Sequence, residues 1–172
     1  MIEIEKKYKL PEKLFKQLKE ELPFCYFQYK NVVEKNTLFS GNQLQSGEVL
    51  RVREELEYDS DVVITVAYKG LATYNNGNKS RLEVEFDTSQ DSVYDFLNLL
   101  GYTPTLTYEK KRRYYSVEGE HFCVCLDELP YGYYLEIEGS ERDIEINEKS
   151  IEKNFRIKLE PEELSYPSLT QL

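Results

Sequence analysis

Apolar and charged side chains alternate with a period of two in four separate stretches of the chain. From Met1 to Lys9, taken as a strand, Ile2, Ile4 and Tyr8 fall on one face and Glu3, Glu5 and Lys7 on the other. Arg51 and Arg53 alternate with Leu50 and Val52. Arg81, Glu83 and Glu85 alternate with Leu82, Val84 and Phe86, and Glu136 and Glu138 with Leu135 and Ile137. A strand with one charged face is ordinary where that face meets water. Recurrence of the pattern, with acids and bases sorted by segment, predicts a closed antiparallel sheet with a charged interior and an apolar exterior covered by helices.

Between these strands the punctuation is clear. Pro11 ends the first strand and opens a helix over Pro11 to Leu22, with Leu14, Phe15, Leu18 and Leu22 on one face, and Pro23 stops it. Cys25 to Phe39 reads as extended, with a turn at Gly41-Asn42, and Glu48 to Leu56 reads as a strand. Val62 to Tyr68 is the most β-prone run, and it sets Lys69 on the face of Val63, Thr65 and Ala67. The turn Asn75-Asn76-Gly77-Asn78 predicts a hairpin between strands near 62–70 and 79–87. Ser89 to Leu100 is a second amphipathic helix, capped by Ser89 and ended by Gly101. Strands over Thr107 to Val117, His121 to Leu129 and Tyr133 to Glu138 precede a third helix at about Asn147 to Phe155. Within Thr107 to Val117 four bases are adjacent, Lys110 to Arg113, and parity leaves open which pair points inward. No linker or repeat divides the chain, so residues 1–172 are expected to form one α+β domain.

Composition narrows the chemistry. A formal net charge of -10 leaves no broad basic surface for general nucleic-acid binding, but it leaves room for a small buried basic site. The absence of a signal-peptide pattern and of an apolar run of membrane-spanning length predicts a cytoplasmic protein with no membrane partner. Of the three cysteines, Cys123 and Cys125 share one face of a strand and lack zinc spacing, which fits reduced thiols. The lone His121 has the parity of Asp127 and reads as structural. The inward faces would hold the acids Glu3, Glu5, Glu83, Glu85, Asp127, Glu136 and Glu138. They would also hold the bases Lys7, Arg51, Arg53, Lys69, Arg81, Lys110 and Arg112. So many charges share an interior only when each is paired or bound. Carboxylates without histidine suit Mg²⁺ or Mn²⁺, and arginine and lysine neutralise phosphate oxygens. The guest these residues imply is a metal-bound triphosphate.

Glu3-x-Glu5-x-Lys7 also resembles the ExExK signature of the CYTH family, the triphosphate tunnel metalloenzymes. The resemblance continues through Leu50-Arg51-Val52-Arg53, Tyr68-Lys69-Gly70, Arg81-Leu82-Glu83-Val84-Glu85, Tyr108-Glu109-Lys110-Lys111-Arg112 and Leu126-Asp127-Glu128. It closes with Gly132-Tyr133-Tyr134-Leu135-Glu136-Ile137-Glu138-Gly139 and a late Ser165-Tyr166. The resemblance implies an eight-stranded antiparallel β-barrel, a tunnel, with helices packed outside. It implies that Glu3, Glu5, Glu136 and Glu138 bind metal, with two Mg²⁺ or Mn²⁺ ions per site. Asp127, Glu83 and Glu85 would serve a second metal or orient water. Lys7, Arg51, Arg53, Arg81, Lys110 and Arg112 would line the phosphate track, and Lys69 would contact phosphate or position the nucleophile. A triphosphatase acting on tripolyphosphate or, second, a nucleoside triphosphate such as ATP is the expected activity. A class IV adenylyl cyclase and a non-catalytic triphosphate receptor are the alternatives. The tail Leu164 to Leu172 has no basic residue, unlike the family's thiamine triphosphatases. Monomer and homodimer both remain open.

Overall fold

A computed structural model describes residues 1–57, 60–88 and 92–170. Its strands are β1 (Ile2–Leu10), β2 (Phe27–Ser40), β3 (Val49–Glu57), β4 (Val63–Lys69), β5 (Thr73–Asn75), β6 (Asn78–Thr88), β7 (Thr103–Ser116), β8 (Cys123–Leu129), β9 (Gly132–Glu138) and β10 (Glu160–Pro161). The helices are α1 (Glu12–Glu21), α2 (Val93–Leu99), α3 (Glu141–Phe155) and α4 (Tyr166–Leu169), with a 3₁₀ turn at Leu22–Phe24. All strand pairings are antiparallel. The order β1-β9-β8-β7-β2-β3-β4-β6 closes on itself because β6 also pairs with β1, placing Glu3 opposite Arg81 and Glu5 opposite Lys79. The result is an eight-stranded barrel. β5 and β10 lie outside that ring, on β6 and β1.

The charged interior leaves no room for an apolar core inside the barrel, so the stabilising burial lies outside it. Phe15 and Leu18 of α1 and Ile144, Ile151 and Phe155 of α3 pack with Tyr8, Val124, Leu126, Leu135 and Ile137 from the outer faces of β1, β8 and β9. Full burial of each such aliphatic side chain contributes roughly 1.5–3 kcal/mol. Leu97 of α2 packs with Val52, Ile64 and Val66 from β3 and β4. The expectation of an exterior covered by helices needs correction at β6. Its outward Leu82, Val84 and Phe86 are 46%, 55% and 59% exposed, because α2 lies over the neighbouring strands instead.

Local signals account for the other differences from the sequence reading. β4 and β6 do pair, but the Asn76-Gly77 turn closes a hairpin between the inserted β5 and β6. Asn76 and Gly77 both have positive φ, 52° and 79°, the geometry that a two-residue hairpin turn requires. Helix α3 starts six residues before Asn147, at Glu141. Ser140 accepts from the Asp143 N–H, and the Asp143 carboxylate accepts from the Ser140 N–H and hydroxyl, a reciprocal cap. Asn147 lies inside the helix, buried, and accepts a hydrogen bond from the Tyr26 hydroxyl at 3.0 Å. Gly101 ends α2 with φ 87° as expected. The Ser89 cap lies outside the described residues. No helix among the described residues is long and apolar enough to cross a membrane.

Candidate active site

The pleat of each barrel strand sends alternate side chains inward, and they meet in a cavity of 410 Å³. Of the fourteen acids and bases placed inside by parity, all but Asp127 line it. Asp127 is fully buried just behind, bonded to Lys110 and Arg112. Register settles the basic run. Lys110 stands opposite Glu34 and Arg112 opposite Asp127, so these two point inward, while Lys111 reaches the surface beside Glu128.

One wall gathers carboxylates. Glu5, Glu136 and Glu138 each offer an oxygen within 4.8 Å of the others, although β1 and β9 meet there with Glu5 directly opposite Glu138. Burial pushes the Glu138 carboxyl up to about 8. Arg112, at 3.3 Å, opposes that rise and the like charge of Glu136 reinforces it. Glu3 and Asp127 are outside this trio. Glu3 accepts from Lys69 at 2.9 Å and from Arg81 at 2.8 Å. Burial would raise its carboxyl, but those two cations hold it well below the usual carboxylate range. Asp127 accepts from Lys110 at 3.2 Å, Arg112 at 2.7 Å and the Tyr166 hydroxyl at 2.7 Å. Burial would raise it too, and Arg112 and Lys110 turn the balance downward.

Across the barrel, β3 and β4 carry Arg51, Arg53 and Lys69. Lys69 bridges Glu3 and Glu83, 2.9 Å from each. Burial lowers the Lys69 ammonium, with the Arg51 charge acting in the same direction. Burial raises the Glu83 carboxyl against the pull of Lys69. Arg51 approaches Glu83 no closer than 3.9 Å, and Arg53 lies 3.8 Å from Glu85. The Nε of Arg51 is buried without a hydrogen bond. So is that of Arg53, which is instead ion-paired with Glu55 at 3.2 Å. The corresponding nitrogens of Arg81 and Arg112 donate to Glu3 and Asp127.

Sequence reasoning missed several partners. Lys79 reaches Glu5 at 2.7 Å, and extending the alternation of β6 back from Arg81 would have found it. Glu34, fully buried, lies 3.4 Å from Lys110 and accepts from the Tyr114 hydroxyl at 2.9 Å. Glu55 pairs with Lys30. In β2 the inward positions carry Lys30, Val32, Glu34, Asn36 and Leu38, a mixed face with no charge alternation to read. The C-terminal segment also enters the tunnel. Tyr166 sets its ring 4.4 Å from the Lys7 ammonium and 5.0 Å from that of Lys110, and Lys7 donates to the Leu164 carbonyl. Near Glu138, the sulfurs of Cys123 and Cys125 are 3.3 Å apart, and the Tyr29 hydroxyl is 3.2 Å from Cys123. The contact with Cys125 brings the Cys123 thiol down to about 7 against its burial. His121 is exposed beyond the end of β8, at the rim of a second cavity of 790 Å³ that shares Glu3, Glu83, Glu85 and Glu138 with the first.

The CYTH domain model matches residues 1–167. The chain belongs to the CYTH family. Members of this family act on triphosphates, as triphosphatases or as adenylyl cyclase-like proteins, and generally use divalent metals. Three solved structures show how well the CYTH tunnel superimposes. The PH1819 protein of Pyrococcus horikoshii OT3 is 24% identical, with 98% of each chain covered and a TM-score of 0.77. HpAC1 of Hippeastrum, a candidate adenylyl cyclase described as having a dominant triphosphatase activity, is 18% identical over 98% of this chain and 95% of that one, with a TM-score of 0.74. A candidate adenylate cyclase of Bacillus halodurans is 21% identical over 96% and 95%, with a TM-score of 0.64. At these identities the likeness establishes the fold. No curated protein matches the chain.

Proposed function

We propose that this CYTH protein is a divalent-metal-dependent triphosphatase that removes the terminal phosphate of a triphosphate, tripolyphosphate first and nucleoside triphosphate second. One observation carries the reading. A single cavity holds a carboxylate trio on one wall and, on another, two arginines whose Nε groups make no hydrogen bond. Glu5, Glu136 and Glu138 would hold Mg²⁺ or Mn²⁺, all-oxygen ligands that suit a hard cation. Glu83 and Glu85 are the carboxylates available to a second ion. The bound cation supplies charge neutralisation at phosphate oxygens and acidifies water.

The chain's own residues do the rest. Arg51 and Arg53, with Lys7, Arg81, Lys110 and Arg112, line the phosphate track and neutralise charge on the group being transferred. Asp127 acts through others. By accepting from Lys110, Arg112 and the Tyr166 hydroxyl it fixes where those side chains point. Lys69, held between Glu3 and Glu83, contacts phosphate or positions the attacking water, and Glu83 and Glu85 orient that water. Water adds to the terminal phosphorus, the bond to the bridging oxygen breaks, and tripolyphosphate leaves as phosphate and pyrophosphate. Cyclisation of ATP needs in addition a seat that turns the ribose 3′-hydroxyl onto the α-phosphorus. Hydrolysis therefore asks less of the same clamp.

Turnover of tripolyphosphate and ATP, side by side with Mg²⁺ or Mn²⁺, tests the reading when phosphate, pyrophosphate and cyclic AMP are resolved. Phosphate from tripolyphosphate at a rate well above that from ATP is expected. Cyclic AMP with matching pyrophosphate would replace the triphosphatase by a cyclase. Metal-dependent binding without any product would make the protein a receptor.

A further inference from the structure

The thiol pair on β8 has no part in triphosphate chemistry, yet its placement is specific. Cys123 and Cys125 lie two residues apart on the inward face of one strand, their sulfurs 3.3 Å from each other. Directly opposite on β9 stand Glu138, across from Cys123, and Glu136, across from Cys125. Such cross-strand neighbours have Cβ atoms about 4.5–5.5 Å apart. Cys125 is buried, whereas Cys123 is half-buried and lines the 790 Å³ cavity at the tunnel's acidic end, which gives a small solute access.

Closing this pair as a disulfide is disfavoured. Residues two apart on a strand have Cα atoms about 6.6 Å apart, at the outer limit for a disulfide. β8 is held straight by pairing with β7 on one side and β9 on the other. Chelation asks for much less movement. Two sulfurs on a tetrahedral ion with metal–sulfur bonds of about 2.3 Å lie about 3.8 Å apart, within reach of small side-chain rotations. Sulfur ligands discriminate against hard cations such as Mg²⁺ and in favour of soft ones.

We propose that Cys123 and Cys125 form a two-sulfur site for one thiophilic divalent cation of the Cd²⁺ type. Binding displaces the thiol protons to solvent. The soft ion would sit beside Glu138, one of the carboxylates proposed above for the hard cation, but occupancy of the sulfur site does not rest on the triphosphatase reading.

The test titrates reduced full-length protein with Cd²⁺ in the presence of excess Mg²⁺ and follows the ultraviolet thiolate-to-cadmium charge-transfer band. One Cd²⁺ per chain is expected, with the band retained in Cys25→Ser and lost in Cys123→Ser and in Cys125→Ser. A band that Mg²⁺ abolishes, that disappears with Cys25→Ser, or that survives Cys123→Ser or Cys125→Ser overturns the proposal. Should a serine variant fail to fold, wild-type protein still decides by peptide mass. One Cd²⁺ is expected to protect Cys123 from iodoacetamide while the exposed Cys25 is alkylated, and no protection of Cys123 overturns the site. Because neither readout uses a triphosphate, loss of the hydrolase reading leaves both intact.

Discussion

Glu138 sits where the tunnel's electrostatics are least balanced. Its carboxyl, pushed up to about 8 by burial, is largely protonated at neutral pH while no cation is bound. A metal ligand must be ionised, so binding there expels a proton below that pH. The affinity for Mn²⁺ is therefore expected to climb with pH by up to about tenfold per unit as pH approaches 8, then level off. Calorimetry across a pH series checks it, with Glu138→Gln as the variant that removes the step. An affinity independent of pH would contradict the assignment. The same shift has a second sign. Unfolded Glu138 ionises near 4.5 and folded Glu138 near 8, so its own contribution to stability is present below about 4.5 and is lost as pH rises through about 8. At this scale the sequence was legible wherever charge alternated strictly. It was opaque at Glu34, whose neighbours on the inward face are Val32 and Asn36, whereas Glu55 continues the alternation of Arg51 and Arg53 and was overlooked.

Elements, more than residues, decide which side chains reach the tunnel. β9 carries Glu136 and Glu138, and its outward Leu135 and Ile137 are pinned beneath α1 and α3. A one-residue slip would turn both carboxylates to the outside. α3 thus holds the register of the carboxylate wall, and its reciprocal cap at Ser140 and Asp143 holds its start. Ser140→Ala is expected to cost about 1 kcal/mol, a fall in Tm of about 2–4 °C. Thermal unfolding followed by circular dichroism reads this directly, and an unchanged Tm would contradict the cap. Ser140-x-x-Asp143 was present in the sequence as a cap signal, but the apolar spacing of Ile151 and Phe155 is the more visible one. The barrel strands were placed to within two residues at both ends, except at the start of β7. β7 begins at Thr103, four residues before Thr107, because pairing with β2 extends it beyond its own β-prone run.

Across the whole molecule, the charge inside the barrel is close to neutral while the chain carries -10. Most tunnel acids are answered by a lysine or arginine from another strand: Glu3 by Lys69 and Arg81, Glu5 by Lys79, and Glu34 and Asp127 by Lys110 and Arg112. A triphosphate entering alone would bring several uncompensated charges into this interior. On the proposed reading, carboxylates engaged by divalent cations would leave their basic partners free to face phosphate, so that metal and substrate would depend on each other. The barrel itself was legible because a charged inward face on strand after strand has one economical closure. The cation network was not, since which base answers which acid depends on shear and register. The most direct measurement is phosphate release from tripolyphosphate with Mn²⁺ by wild-type protein, Glu5→Gln and Arg53→Ala, each first shown to be folded. The account predicts a loss of about 10²-fold or more in both variants, one from each wall of the tunnel. Wild-type rates in both would contradict it.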